Sequence, residues 1–124
     1  MASIEQRLEA ARAKIGRLTP QAAASAIEEG ATIVDTRCRD DRDAEGTVPG
    51  SIHHPLSVLE WRADPSSDTS DPLIADFDAR LILMCNDGFS SSFAGERLVD
   101  IGHRNVADVI GGFRAWSQAG LPVS

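Results

Sequence analysis

The apolar positions at the start of the chain recur at three- and four-residue intervals, the spacing of one helix face. A candidate N-cap, Ser3, stands just before them. We predict an amphipathic N-terminal helix within residues 1–16 that packs its stripe on the rest of the protein, with self-association as the alternative use. The positions are Ile4, Leu8, Ala11 and Ile15.

Beyond this helix, short apolar runs alternate with helical patterns, as expected of strands joined by crossover helices. The segments 36–50 and 62–76 contain many charged, Gly, Pro and Ser residues and are predicted loops. The predicted strands are 16–18, 31–35, 51–54, 81–84 and 106–110. The predicted helices are 20–29, a turn at 58–61, 90–101, and a last helix with Phe113 and Trp116 in the core.

This order of elements predicts an α/β fold with a doubly wound, mainly parallel five-stranded sheet and helices on both faces. No shift in composition marks a second globular unit, so residues 17–124 are predicted to form one domain beside the N-terminal helix. Ligands of such sheets collect beyond the carboxyl ends of the strands. The functional site is therefore predicted in the segment that follows strand 81–84.

Composition narrows the choice of partners. The chain has 124 residues, 42% of them hydrophobic and 25% charged, which are ordinary globular proportions. Its net charge of −7 repels phosphate backbones and anionic lipids, so neither nucleic acid nor a membrane surface is an expected partner. Charged residues interrupt the N-terminal sequence where a secretory signal would be apolar, and we expect a cytoplasmic location.

The chain has two cysteines, Cys38 and Cys85, which are too few for a disulfide scaffold and lack the spacing of a zinc site. Cys85 stands between a predicted buried strand and a predicted helix, where backbone amides and the helix dipole stabilise a thiolate. A small buried hydrophobe is the alternative reading of this cysteine. The next residues suit a tight anion-binding loop: Asn86, Asp87 and Gly88 tolerate positive φ, and Ser90 and Ser91 offer helix caps and hydroxyls.

Five motifs in order resemble the single-domain rhodanese-like, or thiosulfate sulfurtransferase, family. They are IVDTR at 33–37, GTVPGS at 46–51, CNDGFSS at 85–91, GGFRAW at 111–116 and GLP at 120–122. The resemblance covers about residues 17–123 and excludes the N-terminal helix. It implies a rhodanese-like fold for the domain 17–124.

The resemblance also implies a sulfurtransferase whose Cys85 takes a sulfane sulfur from a small anionic donor such as thiosulfate and holds it as a persulfide. Cyanide, a thiol or a sulfur-acceptor protein then removes the sulfur, and neither a metal nor an organic cofactor is implied. The loop amides are expected to bind the persulfide and the incoming anion. They belong to Asn86, Asp87, Gly88, Phe89, Ser90 and Ser91.

Three positions depart from the family pattern. Ser90 stands where many members carry Arg, Thr47 replaces a usual histidine, and Asp87 adds a negative charge that repels a dianionic donor. Ser90 and Asp87 favour the alternative of a non-catalytic persulfide carrier or protein-binding module, whereas Thr47 is expected to alter only local hydrogen bonding. Phosphatases of similar fold need an Arg where this chain has Ser91, so we rank that activity lower.

The sequence also predicts the positions or roles of several other side chains. Asp35 and Arg37 match the strand-end motif of the family that the chain resembles and are predicted to form an ion-paired brace. Cys38 is predicted near the same sheet edge as Cys85, and a disulfide between the two would make the protein a thiol redox sensor. Trp61 is predicted to be a core aromatic rather than a pocket wall, and Arg62 a solvated charge rather than a substitute for the missing loop Arg. The remaining expectations are that Arg39 and Arg42 are solvated and that His53, His54 and His103 bind no metal.

Overall fold

The computed structural model of the chain describes residues 1–124. The strands are β1 (Gly16–Leu18), β2 (Thr32–Asp35), β3 (Ile52–His53), β4 (Leu81–Met84) and β5 (Val106–Val109). The helices are α1 (Ile4–Arg12), α2 (Pro20–Glu28), α3 (Arg39–Glu45), α4 (Leu59–Ala63), α5 (Ser90–Ile101) and α6 (Gly112–Gln118). All strands are parallel, in the order β1-β5-β4-β2-β3. The predicted α/β class and five-stranded sheet are confirmed.

The central strand β4 separates two hydrophobic clusters, one on each face of the sheet. All four of its residues are buried, which explains why they form a continuous apolar run instead of an alternating one. Ile82 and Met84 join the cluster built on α2 and α6, whereas Leu81 and Leu83 join the cluster built on α4 and α5. Helices therefore cover both faces, and the predicted core residues Phe113 and Trp116 are buried.

The N-terminal helix is shorter than its apolar spacing predicts. Ser3 is the N-cap of α1, as predicted, and it forms a capping box with Gln6. The helix ends at Arg12 instead of reaching Ile15, its only buried residue is Ala11, and Ile4 is 63% exposed. Helix α1 lies against α5, so its contact with the rest of the protein is made near its C-terminal end.

Two local predictions are wrong. The segment predicted as one loop, 36–50, contains helix α3, which buries none of its residues and so has no apolar stripe to reveal it. Trp61 is 59% exposed instead of lying in the core. The buried positions of α4 are Leu59 and Ala63, one turn apart, so Trp61 falls on the opposite side of this short helix.

No helix combines the length and apolarity needed to cross a bilayer. No group of three or more His, Cys, Asp or Glu side chains is placed to hold a metal ion.

Candidate active site

The parallel register brings the ends of β2 and β4 together. Asp35 is paired with Met84, and the amide of the next residue, Thr36, donates to the Met84 carbonyl at 2.9 Å. Thr36 is therefore beside Cys85, the first residue after β4. Both line a cavity of about 350 Å³ at the carboxyl edge of the sheet, the edge at which such sheets bind ligands.

Two backbone amides donate to the sulfur of Cys85, and a hydroxyl oxygen lies beside it. The amide nitrogens of Gly88 and Ser91 lie 3.1 and 3.4 Å from Sγ, and the Ser91 hydroxyl lies 3.3 Å away. The residue is only 6% exposed, but it faces the cavity. Amides rather than carbonyls point at the sulfur, which is the arrangement that stabilises a thiolate.

Opposing influences act on the acidity of Cys85. Burial is the largest single influence and disfavours the thiolate. Hydrogen bonds from the hydroxyls of Ser91 and Ser90, and from the amides of Ser91 and Gly88, act the other way, and together they lower the pKa of Cys85 below its ordinary value. The site therefore favours a reactive anion.

The loop takes its shape from Gly88, which has a φ of +83°. A Cβ there would lie 2.7 Å from the amide nitrogen of Gly111 and 2.9 Å from the Val109 carbonyl, so only glycine fits. Neither Asn86 nor Asp87 has a positive φ, and the tolerance predicted for them is not used.

Four further amides of the loop remain available to a ligand. The backbone nitrogens of Asn86, Asp87, Phe89 and Ser90 make no hydrogen bond within the chain, and all four residues line the cavity. The expected capping by serine is wrong, because Phe89 is the N-cap of α5 and no side chain caps this helix. Ser90 and Ser91 form its first turn instead, and the Ser91 hydroxyl oxygen lies 3.3 Å from the sulfur.

A polar network that the sequence analysis missed lies behind the loop. Asp108 is fully buried and accepts hydrogen bonds from Ser91 Oγ at 2.8 Å and Ser92 Oγ at 2.7 Å. Arg17 Nε also donates a hydrogen bond to the Asp108 carboxylate, at 2.9 Å. An aspartate within the otherwise apolar strand β5 is the one signal in the sequence that could have indicated this network.

The same network reaches the loop backbone. The carbonyl oxygen of Gly88 accepts hydrogen bonds from Arg12 Nη2 at 2.8 Å and from Arg17 Nη2 at 3.1 Å. Arg12 Nε also donates to Ser92 Oγ at 3.1 Å, and its guanidinium lies 5.5 Å from the centre of the Phe89 ring. Two guanidinium groups from the N-terminal segment thus contact the loop that holds Cys85.

The charges at the mouth of the cavity are mostly paired. Asp87 is not isolated, because Arg114 Nη1 lies 2.7 Å from Oδ2, and Arg114 also binds Glu45. Asp41 accepts a hydrogen bond from Asn86 Nδ2 at 2.8 Å, and this bond is the main reason that the pKa of Asp41 is lowered. The expected repulsion by Asp87 is therefore weaker than the sequence indicates.

The predicted brace between Asp35 and Arg37 is confirmed. Arg37 Nε and Nη2 donate to the two carboxylate oxygens at 3.1 and 2.9 Å, and Nη2 also binds the Gly46 carbonyl at 2.7 Å. The prediction for Arg42 is wrong, since its Nε lies 3.0 Å from Asp35 Oδ2. Arg62 donates to the Thr69 carbonyl at 2.9 Å and does not line the cavity, so it supplies no substitute for the missing loop Arg.

A family model described as a rhodanese-like domain matches residues 19–119. The chain belongs to the rhodanese-like family. It is 35% identical over 107 residues to thiosulfate sulfurtransferase GlpE of Haemophilus influenzae, an alignment that covers 86% of this chain and 91% of that protein. The family and this relationship identify it as a rhodanese-type sulfurtransferase.

Solved structures show the same fold. A protein of unknown function from Rhodopseudomonas palustris, described as a possible tyrosine phosphatase, superposes with a TM-score of 0.91 at 31% identity and covers 100% of this chain and 96% of its own. A polysulfide-sulfur transferase homodimer from Wolinella succinogenes gives a TM-score of 0.73 at 24% identity, covering 95% and 84% of the two chains. The family model begins at residue 19, whereas the first of these structures also matches the N-terminal helix of this rhodanese-like chain.

Proposed function

We propose that the thiolate of Cys85 attacks the sulfane sulfur of thiosulfate. The bond between the two sulfur atoms of thiosulfate breaks, sulfite leaves with the bonding electrons, and Cys85 holds the sulfur as a persulfide. Cyanide or an acceptor thiolate then attacks the terminal sulfur, and the Cys85 thiolate is released. The observation that carries this proposal is the buried sulfur that faces a cavity and accepts hydrogen bonds from Gly88 and Ser91.

The loop amides with no partner in the chain suit both stages of this reaction. In the loaded enzyme the negative charge moves outward by one bond, from Sγ to the terminal sulfur. Asn86, Asp87, Phe89 and Ser90 line the cavity, and their backbone amides have no acceptor within the chain. Preorganised donors of this kind stabilise charge where it develops, without the reorganisation that water requires.

Thiocyanate formation from thiosulfate and cyanide tests the proposal. We expect turnover by the wild-type protein and by Cys38→Ser, and none by Cys85→Ser. Cys38 is the matched control because it is a second free cysteine lining the same cavity. Equal rates for the wild type and Cys85→Ser would rule out Cys85 as the nucleophile.

A persulfide carrier that serves a partner protein is a second candidate, and it is favoured by the charges at the cavity mouth. Asp41 lines the cavity without an ion-pair partner, and the one arginine that lines it, Arg37, is paired with Asp35. Such a mouth repels a dianion more than a neutral thiol. A carrier would retain a labelled sulfur on Cys85 in the presence of cyanide and release it to a protein thiol.

A thiol redox sensor is a third candidate because Cys38 and Cys85 line one cavity. Both cysteines are free, a state that persists in the reducing cytoplasm where we propose that the protein acts. A disulfide between them would transfer two electrons to an oxidant such as a peroxide. Treatment with one equivalent of peroxide, followed by intact mass measurement without reductant, would show the loss of two hydrogen atoms; an unchanged mass would exclude this role.

Phosphatase chemistry is less well supported. A phosphatase of this kind clamps a tetrahedral oxyanion with an arginine that is free to form two hydrogen bonds. Ser91 occupies that position here, and its hydroxyl is bound to Asp108. Arg37 lines the cavity, but its guanidinium binds Asp35 and the Gly46 carbonyl.

A further inference from the structure

The peptide unit between Gly88 and Phe89 connects the N-terminal segment to the cavity. It contains the Gly88 carbonyl and the Phe89 amide, which point in opposite directions because the peptide bond is planar and trans. The carbonyl accepts hydrogen bonds from Arg12 and Arg17 behind the loop. The Phe89 amide must then point away from the two arginines, and it has no acceptor within the chain.

Two guanidinium groups on one carbonyl hold this orientation firmly. If the peptide unit flipped, both arginines would lose an acceptor and the carbonyl would face the sulfur instead. Arg17 cannot follow a flip freely, because its Nε binds the buried carboxylate of Asp108 at 2.9 Å. Arg12 is similarly tied to Ser92 at 3.1 Å.

The two arginines also place positive charge close to the sulfur. Burial and the neighbouring Arg17 lower the pKa of Arg12, whereas the negative charges of Asp108 and Cys85 act in the opposite direction. The guanidinium groups of Arg12 and Arg17 outnumber the single carboxylate of Asp108, so the net charge behind the loop is positive. The loop itself contains no cation, and Arg114 at the mouth is paired with Asp87.

We propose that Arg12 and Arg17 are positioning residues that hold the Gly88–Phe89 peptide unit with its amide toward the sulfur-binding cavity and supply the positive charge that the loop lacks. This inference rests on the proposed persulfide chemistry at Cys85. Neither arginine lies within residues 19–119, the segment that the family model matches. The N-terminal helix then contributes to the active site through Arg12.

Arg12 is the informative residue to change. Loss of Arg17 would leave the buried Asp108 carboxylate without its cation and would risk unfolding the protein. Arg12→Gln removes one donor to the Gly88 carbonyl together with its charge, and Arg12→Lys keeps the charge and one donor. Arg7→Gln is the matched control, because Arg7 is exposed on the same helix and makes no ion pair.

Two readouts separate positioning from mere stability: the KM for thiosulfate with cyanide as acceptor, and the pH profile of Cys85 alkylation by iodoacetamide in a Cys38→Ser background. For Arg12→Gln we expect the KM to rise about tenfold, less than the loss of a donor that contacts the anion itself, and the alkylation midpoint to move to higher pH. Arg12→Lys should restore most of both changes, and Arg7→Gln should match the wild type.

The inference is overturned if Arg12→Gln and Arg7→Gln give the same KM and the same alkylation midpoint. It is equally overturned if Arg12→Gln only reduces the folded fraction and leaves both quantities unchanged in the folded protein. A wild-type protein that forms no thiocyanate would instead refute the proposed function. In that case the alkylation profile still reports whether Arg12 acts on Cys85.

Discussion

Ser91 Oγ donates its single hydrogen to Asp108 Oδ2 at 2.8 Å and thereby presents a lone pair to Cys85 Sγ, 3.3 Å away. This arrangement suits a protonated thiol, which can donate to the serine oxygen. When the thiol ionises, the Ser91 hydrogen must turn toward the sulfur to stabilise it, and Asp108 keeps its bonds from Ser92 and Arg17. The hydroxyl therefore changes partner with the charge on Cys85.

Ser91→Ala removes the largest of the influences that lower the pKa of Cys85. We expect the midpoint of Cys85 alkylation to move to higher pH and kcat/KM at neutral pH to fall by roughly tenfold, the equivalent of one pKa unit. Ser92→Ala is the comparison, because Ser92 binds Asp108 and Arg12 but is not a partner of the sulfur, and we expect a smaller shift. If both variants shift the midpoint equally, the effect comes from the network behind the loop and not from the contact with Cys85.

The ion pair between Asp87 and Arg114 controls the charge at the cavity mouth. Arg114→Gln exposes the Asp87 charge and should raise the KM for thiosulfate a few-fold, about twofold to fivefold at low salt, with a smaller effect at high salt. Asp87→Asn in the same background should reverse that change. A KM that is insensitive to both substitutions and to salt would show that the mouth charge plays no part in donor binding.

The ionisation of Asp35 makes the free energy of unfolding depend on pH. Burial raises its pKa, but the hydrogen bonds and charges of Arg37 and Arg42 more than compensate, and the pKa is lowered in the folded protein. Its contribution is therefore complete above the unfolded pKa, near 4, and is lost as the pH falls through the lower folded value. Asp35→Asn should reduce the unfolding free energy at pH 7 by about 3–5 kcal/mol and flatten the loss of stability in acid, as measured by urea unfolding. Asp43→Asn, on the exposed part of α3, should change neither; an equal effect there would point to a general charge effect.

Gly88 and Gly50 share a positive φ but differ in their surroundings. At Gly50 a Cβ meets nothing within 4 Å, so Gly50→Ala should cost only the left-handed backbone, about 1–2 kcal/mol. At Gly88 the Cβ meets backbone at 2.7 Å, and Gly88→Ala should displace the loop and abolish sulfur transfer. Thiocyanate assays on folded protein, with thermal unfolding in parallel, test this difference; an active Gly88→Ala variant would contradict the tight loop geometry.

Features that depend on neighbouring residues were predictable from the sequence. The run at 81–84 indicates a strand buried on both faces, and its meeting with a loop that begins at Cys85 indicates the site. The Asp35–Arg37 brace joins residues two positions apart, and the strand-end motif of the family predicts it. These features need no knowledge of how distant parts of the chain meet.

The missed features depend on contacts between distant segments or lack an apolar pattern. Arg12 meets Gly88, and Arg17 meets Asp108, across most of the length of the chain. Helix α3 buries no residue, so hydrophobic periodicity does not mark it. Residue type alone predicts that Trp61 lies in the core, although the short helix α4 directs it outward.

Arg12 and Arg17, which donate hydrogen bonds to Gly88, lie outside the segment that the family model matches, which starts at residue 19. A fragment trimmed to that boundary would lose strand β1 along with both guanidinium groups, while the seven-residue loop at 85–91 stayed intact. A comparison of relatives by loop sequence alone would not separate those that have the two arginines from those that lack them. Expression boundaries and subfamily comparisons for proteins of this type should therefore begin upstream of the N-terminal helix.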